Sequence, residues 1–434
     1  MKEVISPYSP SFVDEMCRWL YSFVLVLLIP IAFFALIRRG ALRNQNHNKR
    51  RFERFGRVAH PQKYNGYLFH CVSVGEVVAA SCVIKRIMES EPDTQITITT
   101  TTPTGSARVR SIFGDKVHHF YLPFDLPMAM AGMIKRIKPK AVMITEVELW
   151  PNLIHTCWKK AIPVVVVNAR MTDRSAKSYR KISRLFRPML HKVTHVCAQG
   201  ERDYKNYLSL GIDEKKLTLT NNIKFDQVGA TATARSSFMG LNYGEQNVFV
   251  AGSTHDIEEE AVVLAAQGIR EKGSQLITVI VPRHPERFEA VAKLLKKMGE
   301  DFVRTSESTS LTDGAKTILL DEMGKLNQAY QVANYAFVGG SLADKGGHNA
   351  LEPAAWSAPM LMGPNTYNNP VICDFLSERG ALTIVSSWQE MRDRILLWIE
   401  APESAIRAGG AGRQVLDENQ GAVNLTLEQI AKVV

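Results

Sequence analysis

Glu76 closes the run Ser73-Val74-Gly75-Glu76, with Cys71, Val72, Val74, Val77 and Val78 around it. A carboxylate in such apolar company has its pKa raised and suits general-base work. The same residue also reads as a first-turn acid that complements a helix dipole. Glu146 and Glu148 precede Leu149-Trp150-Pro151-Asn152. Two acids at i and i+2 after a strand need not face the same way, so no paired-carboxylate glycosidase site follows from them. Lys224, Arg283 and His284 stand after strand-like runs where an anion can be held, and an arginine there suits bidentate contact.

Glycine turns supply the other chemistry. Phe337-Val338-Gly339-Gly340-Ser341 runs on through Lys345-Gly346-Gly347-His348-Asn349-Ala350-Leu351-Glu352-Pro353. It reads as a strand, a glycine turn, a loop and a helix start, with Asn349 as N-cap and Glu352 at capping-box spacing. Glycines admit close backbone approach and a helix start favours an anion, so Gly339 and Gly340 are candidate phosphate contacts. Gly252-Ser253-Thr254-His255 also follows a strand, ahead of Glu258, Glu259 and Glu260, and Ser253 is a third candidate. The nucleophile-elbow spacing G-x-S-x-G is absent there. Walker A spacing and a Gly-x-Gly-x-x-Gly after the first strand are absent as well, which disfavours P-loop and dinucleotide enzymes.

The elements that must position these residues are short apolar β-type runs alternating with amphipathic segments: Tyr67 to Val72, Gln95 to Thr100, Val117 to Tyr121, Ala141 to Thr145, Ile162 to Val167, His195 to Ala198 and Leu217 to Thr220. After a strand-poor interval from Gln227 to Gly244, a second series follows: Asn247 to Ala251, Leu276 to Val281, Thr317 to Leu320, Tyr335 to Val338 and Pro359 to Met362. Such alternation means parallel βαβ units, and the polar residues above fall just after strand ends, where open α/β sheets bind ligands. The expected architecture is two consecutive Rossmann-like domains with a cleft between them.

The chain has 434 residues, 45% hydrophobic and 22% charged, which is globular composition. A formal net charge of +10 favours anionic partners, whether nucleic acid, acidic lipid or phosphorylated substrates. Six scattered cysteines without a C-x-x-C pair or a Cys/His cluster predict neither disulfides nor structural zinc, and fit a reduced cytosolic setting. Trp19 to Ile37 is apolar except for Ser22 and Pro30, close to the length that crosses a bilayer. Arg38, Arg39, Arg43, Lys49, Arg50, Arg51 and Arg54 follow it, whereas Lys2, Glu3, Asp14, Glu15 and Arg18 precede it in near balance. The positive-inside rule then places the bulk of the chain in the cytoplasm. Single-pass and monotopic anchoring are both open, and the basic run suits anionic lipid head groups.

Several motifs together resemble the 3-deoxy-D-manno-octulosonic acid (Kdo) transferases of lipid A biosynthesis: Ser73-Val74-Gly75-Glu76, Thr100 to Gly105, Pro123-Phe124-Asp125, Glu146 to Asn152, Asn168-Ala169-Arg170, Lys224-Phe225-Asp226, Val281 to Phe288, and Gly339-Gly340-Ser341 through Gly347-His348-Asn349. The resemblance implies a GT-B glycosyltransferase built as an anchor segment over 1–55, an acceptor domain over 56–235 and a CMP-Kdo domain over 236–434. It implies transfer of Kdo, with inversion and without cofactor or catalytic metal, from CMP-Kdo to a lipid A precursor at the cytoplasmic face of the inner membrane, and no nucleic-acid partner. Glu76 matches the family's proton acceptor, and Glu146 and Lys224 match its transition-state stabilisers. Pro282 and Arg283, then Met323, Gly324 and Lys325, then Asn349, Ala350, Leu351 and Glu352 match its CMP-binding positions. Two residues depart from the pattern: Asn221 stands where glycine is expected before Asn222, and Lys325 where an acid is common.

Overall fold

A computed structural model describes residues 8–43, 50–228, 234–312 and 314–434. Its contacts divide the chain into two compact units, Met1–Gln227 together with Gln420–Val434, and Val228–Asn419.

The first unit is built on one parallel sheet: β1 (Tyr67–His70), β2 (Ile96–Thr100), β3 (His118–Tyr121), β4 (Ala141–Thr145), β5 (Val164–Ala169), β6 (His195–Ala198) and β7 (Leu217–Leu219). Their spatial order is β3-β2-β1-β4-β5-β6-β7. The central strands are apolar on both sides because helices cover both faces. Period-two alternation sorts their side chains: Leu68, Val142, Ile144, Val164 and Val166 enter one core, while Phe69, Ala141, Met143, Val165 and Val167 enter the other. The chain order reverses between β1 and β4, and such a reversal opens a crevice at the carboxyl ends of the two strands.

The second unit repeats the plan with β8 (Val248–Thr254), β9 (Ile277–Pro282), β10 (Phe302–Arg304), β11 (Thr317–Leu319), β12 (Tyr335–Val338), β13 (Met360–Met362) and β14 (Leu382–Ile384). The order is β10-β11-β9-β8-β12-β13-β14, all parallel, with the reversal between β8 and β12. Two Rossmann-like units are therefore present, as the α/β reading expected. The two rim strands β10 and β14 were not foreseen.

Where the sequence carries the second domain on to residue 434, the structure counts the last helix, Ala422–Val433, with the first unit. Ala422, Val423 and Ile430 are buried with Cys197 and Ile223. Both oxygens of the Asp226 carboxylate fix the helix start, accepting from the N–H groups of Gly421 (2.8 Å) and Val423 (2.6 Å).

The expected anchor lies within a helix over Phe12–Arg43. Among the described residues no helix is long and apolar enough to cross a membrane. One side of this helix is polar and docked. Arg18 donates to the Asn152 side chain (2.8 Å), the Tyr21 hydroxyl donates to Asp125 (3.1 Å), and Lys192 donates to Glu15 (3.0 Å). The other side leaves Phe12, Met16, Trp19, Leu20, Phe23, Leu27, Ile31 and Phe34 exposed. Lys2, Glu3 and Lys49 lie outside the described residues, as do the side chains of Arg38, Arg39, Arg43 and Arg51.

Two arginines of the basic run turn out to be structural. Arg50 bonds Glu53, Ser106 and the His119 carbonyl, and Arg54 bonds the carbonyls of Leu122 and Thr101. Both guanidinium groups lie 4.7 Å from the centre of the Tyr121 ring.

Candidate functional site

In the first unit the acids gather at the reversal. β1 ends at His70, and a helix over Val74–Ser90 follows with Ser73 as N-cap. The Ser73 hydroxyl oxygen accepts from the Glu76 N–H (3.3 Å) and the hydroxyl donates to Glu76 Oε1 (2.9 Å). Glu76 Oε2 accepts from the Val72 N–H (2.8 Å). The spacing is that of a capping box, but the carboxylate reaches the N–H one residue before the cap. Glu76 is only 6% exposed. Burial pushes its carboxyl up to about 7, and the negative charges of Glu146 and Glu148 push the same way against the bonds from Val72 and Ser73. The helix-start reading and the base reading thus apply to one side chain: the cap fixes its position, and the acidic, desolvated setting raises its basicity.

Glu146 follows β4 with φ +60°, a conformation rare outside glycine and asparagine. Its N–H is held by the Val167 carbonyl (2.9 Å). Glu148 is half-buried, and burial followed by the charge of Glu146 raises its pKa. Trp150 donates through Nε1 to His70 Nε2 (3.2 Å), tying the loop after β4 back to β1.

Lys224 lies on the segment after β7. Its N–H donates to the Asn222 side chain (3.0 Å), and the neighbouring Ile223 N–H donates to buried Asn168 at the end of β5 (3.0 Å). Asn221 has φ +64°. That conformation explains the departure from glycine, because asparagine is among the few side chains that visit it readily. The structure therefore brings Glu76, Glu146 and Glu148 into mutual electrostatic reach and anchors the Lys224 segment to the strand beside β4.

In the second unit a cavity of about 300 Å³ opens at the carboxyl ends of β8, β9 and β11. Ser253, Pro282, Arg283, Met323, Gly324, Asn349 and Glu352 line it, seven of the residues singled out from sequence. Val281, Glu322, Leu326 and His348 complete the wall. Glu352 is raised by burial, while its bond to Asn349 and the charge of Arg283 pull it back. A larger hollow of about 760 Å³ lies among the residues that precede or begin β8, β9, β11 and β12, including Asn247, Leu276, Lys316 and Asn334. That is the amino end of the sheet, whereas parallel α/β sheets take ligands at the carboxyl end. The smaller cavity is the candidate.

Five expected contacts do not line it. Lys325 is not itself on the wall but pairs (2.7 Å) with Glu322, which is. Ala350 and Leu351 are buried at the start of a four-residue helix. Asn349 is not its N-cap: the Asn349 side chain instead accepts from the Leu351 N–H (3.2 Å) in a tight turn.

Gly339 is needed for packing, since a Cβ there would meet the Ser253 carbonyl at 2.4 Å. Gly340 turns the chain at φ +73°, but its amide already holds an anion, the protein's own Glu258. The Glu258 carboxylate, 0% exposed, accepts from the N–H groups of His255, Gly340, Ser341, Leu342 and Ala343 at 2.8 to 3.1 Å. The turn is an anion nest, as its glycines suggest, and a carboxylate fills it where a phosphate was expected. The sequence marks Glu258 only as the first of three acids after Gly252-Ser253-Thr254-His255. The run of amides after Gly339 that lacked an acceptor was the available signal.

The family model described as 3-Deoxy-D-manno-octulosonic-acid transferase (kdotransferase) matches residues 49–227. The 3-deoxy-D-manno-octulosonic acid transferase of Haemophilus influenzae is 37% identical over 418 residues, covering 95% of this chain and 98% of that protein. Among solved structures, the UDP-GlcNAc 2-epimerase of Neisseria meningitidis aligns with a TM-score of 0.52 at 15% identity, over 85% of this chain and 100% of that one; this likeness concerns the fold alone. The C-terminal CMP-Kdo binding domain of WaaA from Acinetobacter baumannii is 31% identical over 40% of this chain and 90% of its own, with a TM-score of 0.38.

Proposed function

Because this chain belongs to the Kdo transferase family of glycosyltransferases, we propose that it moves Kdo from CMP-Kdo to a hydroxyl of a lipid A precursor, lipid IVA, with inversion, in lipopolysaccharide biosynthesis. The observation that carries this reading is Glu76, a capped, buried carboxylate whose pKa of about 7 lets it accept a proton near neutrality.

In this reading Glu76 takes the proton of the acceptor hydroxyl as that oxygen bonds to the anomeric carbon of Kdo. The C–O bond to the cytidylate phosphate breaks, and CMP leaves with the bonding pair. Arg283, on the cavity wall with Ser253 and Asn349, meets the phosphate. Glu146 and Lys224 stabilise the charge separation between the two substrates. The mechanism assigns every step to side chains and requires neither a metal nor a cofactor. The exposed apolar side of the helix over Phe12–Arg43 rests in the cytoplasmic leaflet of the inner membrane as a monotopic contact, where a lipid acceptor resides.

Incubating the purified full chain with CMP-Kdo and lipid IVA and weighing the lipid by mass spectrometry tests the whole reading. The expected result is lipid heavier by Kdo, with CMP inhibiting and UDP not. Lipid IVA recovered unchanged would overturn it.

A further inference from the structure

The mechanism above leaves the His348 side of the cavity unused. His348 Nε2 lies 2.8 Å from Nε2 of His255, and the two rings stack at 9° with centroids 5.1 Å apart. His284 packs edge-on to His255 at 5.4 Å. Among the described residues no three His, Cys, Asp or Glu side chains converge to hold a metal ion, so these rings are not a ligand set. At 2.8 Å one Nε2 must donate and the other accept, because two facing N–H groups repel. One Nδ1–H and one bare Nδ1 then remain. Protonating the bare Nδ1 keeps the bond between the rings, so the pair accommodates one positive charge without rearranging.

The surrounding burial and cations oppose that charge. Burial and the charges of Arg283, His255 and His284 push His348 down to about 4. His255 is pushed the same way by burial, His284, Lys345, Arg283 and Arg287. The neighbouring carboxylates are engaged elsewhere. Glu258 holds amides, Asp256 and Glu259 pair with Arg287, Glu322 pairs with Lys325, and Glu352 bonds Asn349. A ligand's phosphate would reverse this balance by bringing uncompensated negative charge to the wall that His348 shares with Arg283.

We propose that His255 and His348 form a proton-sharing anion receptor that takes up one proton from solvent when the donor's phosphate enters, and that the resulting cation holds the charge developing on that phosphate as the sugar departs. The proposal rests on the donor reading of this cavity.

Calorimetric titration of the full chain with CMP, at pH 7.5 in buffers of contrasting ionisation heat, counts protons on binding. The second pKa of a phosphate monoester is about 6, so CMP is mostly dianionic at that pH, and any proton it carries would be released rather than taken up. Wild type should take up about 0.3 to 1 proton by linkage, and its affinity should weaken as pH rises from 6.5 to 8.5. In His255→Asn and His348→Gln the uptake should vanish, the pH slope flatten and affinity at pH 6.5 fall about tenfold, the scale of one charge-assisted contact. CMP binding by wild type without uptake, or full uptake by either variant, would sink the receptor and leave the donor reading standing. No CMP binding by wild type would sink both.

Discussion

Glu76 and Glu258 start from the same local plan. Each follows a central parallel strand beside the order reversal of its sheet, and each lies in the first turn of the next helix. Their fates differ because of what the strand across the reversal offers. The loop after β12 presents the amides of Gly340 to Ala343, and Glu258 is bound by them into the fold. The loop after β4 presents Glu146 and Glu148, so Glu76 meets repulsion there and has one amide and one hydroxyl as hydrogen-bond donors. An acid surrounded by donors becomes structure, and an acid surrounded by acids becomes a base. The difference lies in the neighbouring loop and is invisible in the helix that carries the glutamate.

This contrast can be broken most easily through Glu258. Replacing it by glutamine removes the charge and one acceptor oxygen from five buried amides. At about 1–3 kcal/mol for each group left without a partner, urea unfolding of the Glu258→Gln protein should show a loss on the order of 5 kcal/mol. Glu76→Gln should cost at most about 1 kcal/mol, the scale of a helix cap, because it also removes a charge that burial and two neighbouring acids disfavour. Comparable losses from the two would erase the distinction. In transfer activity the order reverses: Glu76→Gln should fall about 10²- to 10⁴-fold, the range of general-base catalysis.

The pH dependence sharpens the same point. Glu76 must be ionised to accept a proton, so kcat/KM should rise with pH and level off above about 7. Stability runs the other way. The folded value of about 7 exceeds the ordinary carboxyl value of 4.5, so the folded state binds the extra proton in that window. The contribution of Glu76 to stability therefore declines from pH 4.5 to 7 and is constant above, and Glu76→Gln should remove that slope. Glu146→Gln should move the NMR titration midpoint of Glu76 downward, by removing the larger of its two acidic neighbours' effects. Glu148→Gln should move it less.

The smallest expected effect concerns Asn221. Asn221→Gly should change stability by a few tenths of a kcal/mol, whereas Asn221→Val should cost roughly 1–2 kcal/mol, because φ +64° disfavours a branched side chain. Thermal denaturation distinguishes the two.

Continuous apolar runs made most of the strands readable, since burial on both faces removes any ambiguity about side. β10 and β14 escaped notice: Phe302-Val303-Arg304 and Leu382-Thr383-Ile384 are three-residue pieces at the two rims of the second sheet. Glu76, Glu146 and Arg283 stood out because they follow strand ends, where ligands meet a parallel sheet, while their roles came from the family resemblance. The partners of Glu258, by contrast, are 82 to 85 residues away for four of its five amides. Likewise His255 and His348 are separated by 93 residues. No spacing rule reaches that far. The family resemblance alone marks Lys325 as a nucleotide contact; here it pairs with Glu322, three residues earlier, which is itself on the cavity wall.

The tail gripped by Asp226 has a consequence for making the protein in pieces. A truncated gene stopping at codon 227 would yield a first unit missing the apolar plug of Ala422, Val423 and Ile430, with the Asp226 carboxylate stripped of both its amide partners. In a living cell the ribosome delivers that plug only after the whole of Val228–Asn419, so the unit begun first stays incomplete while the second is being made.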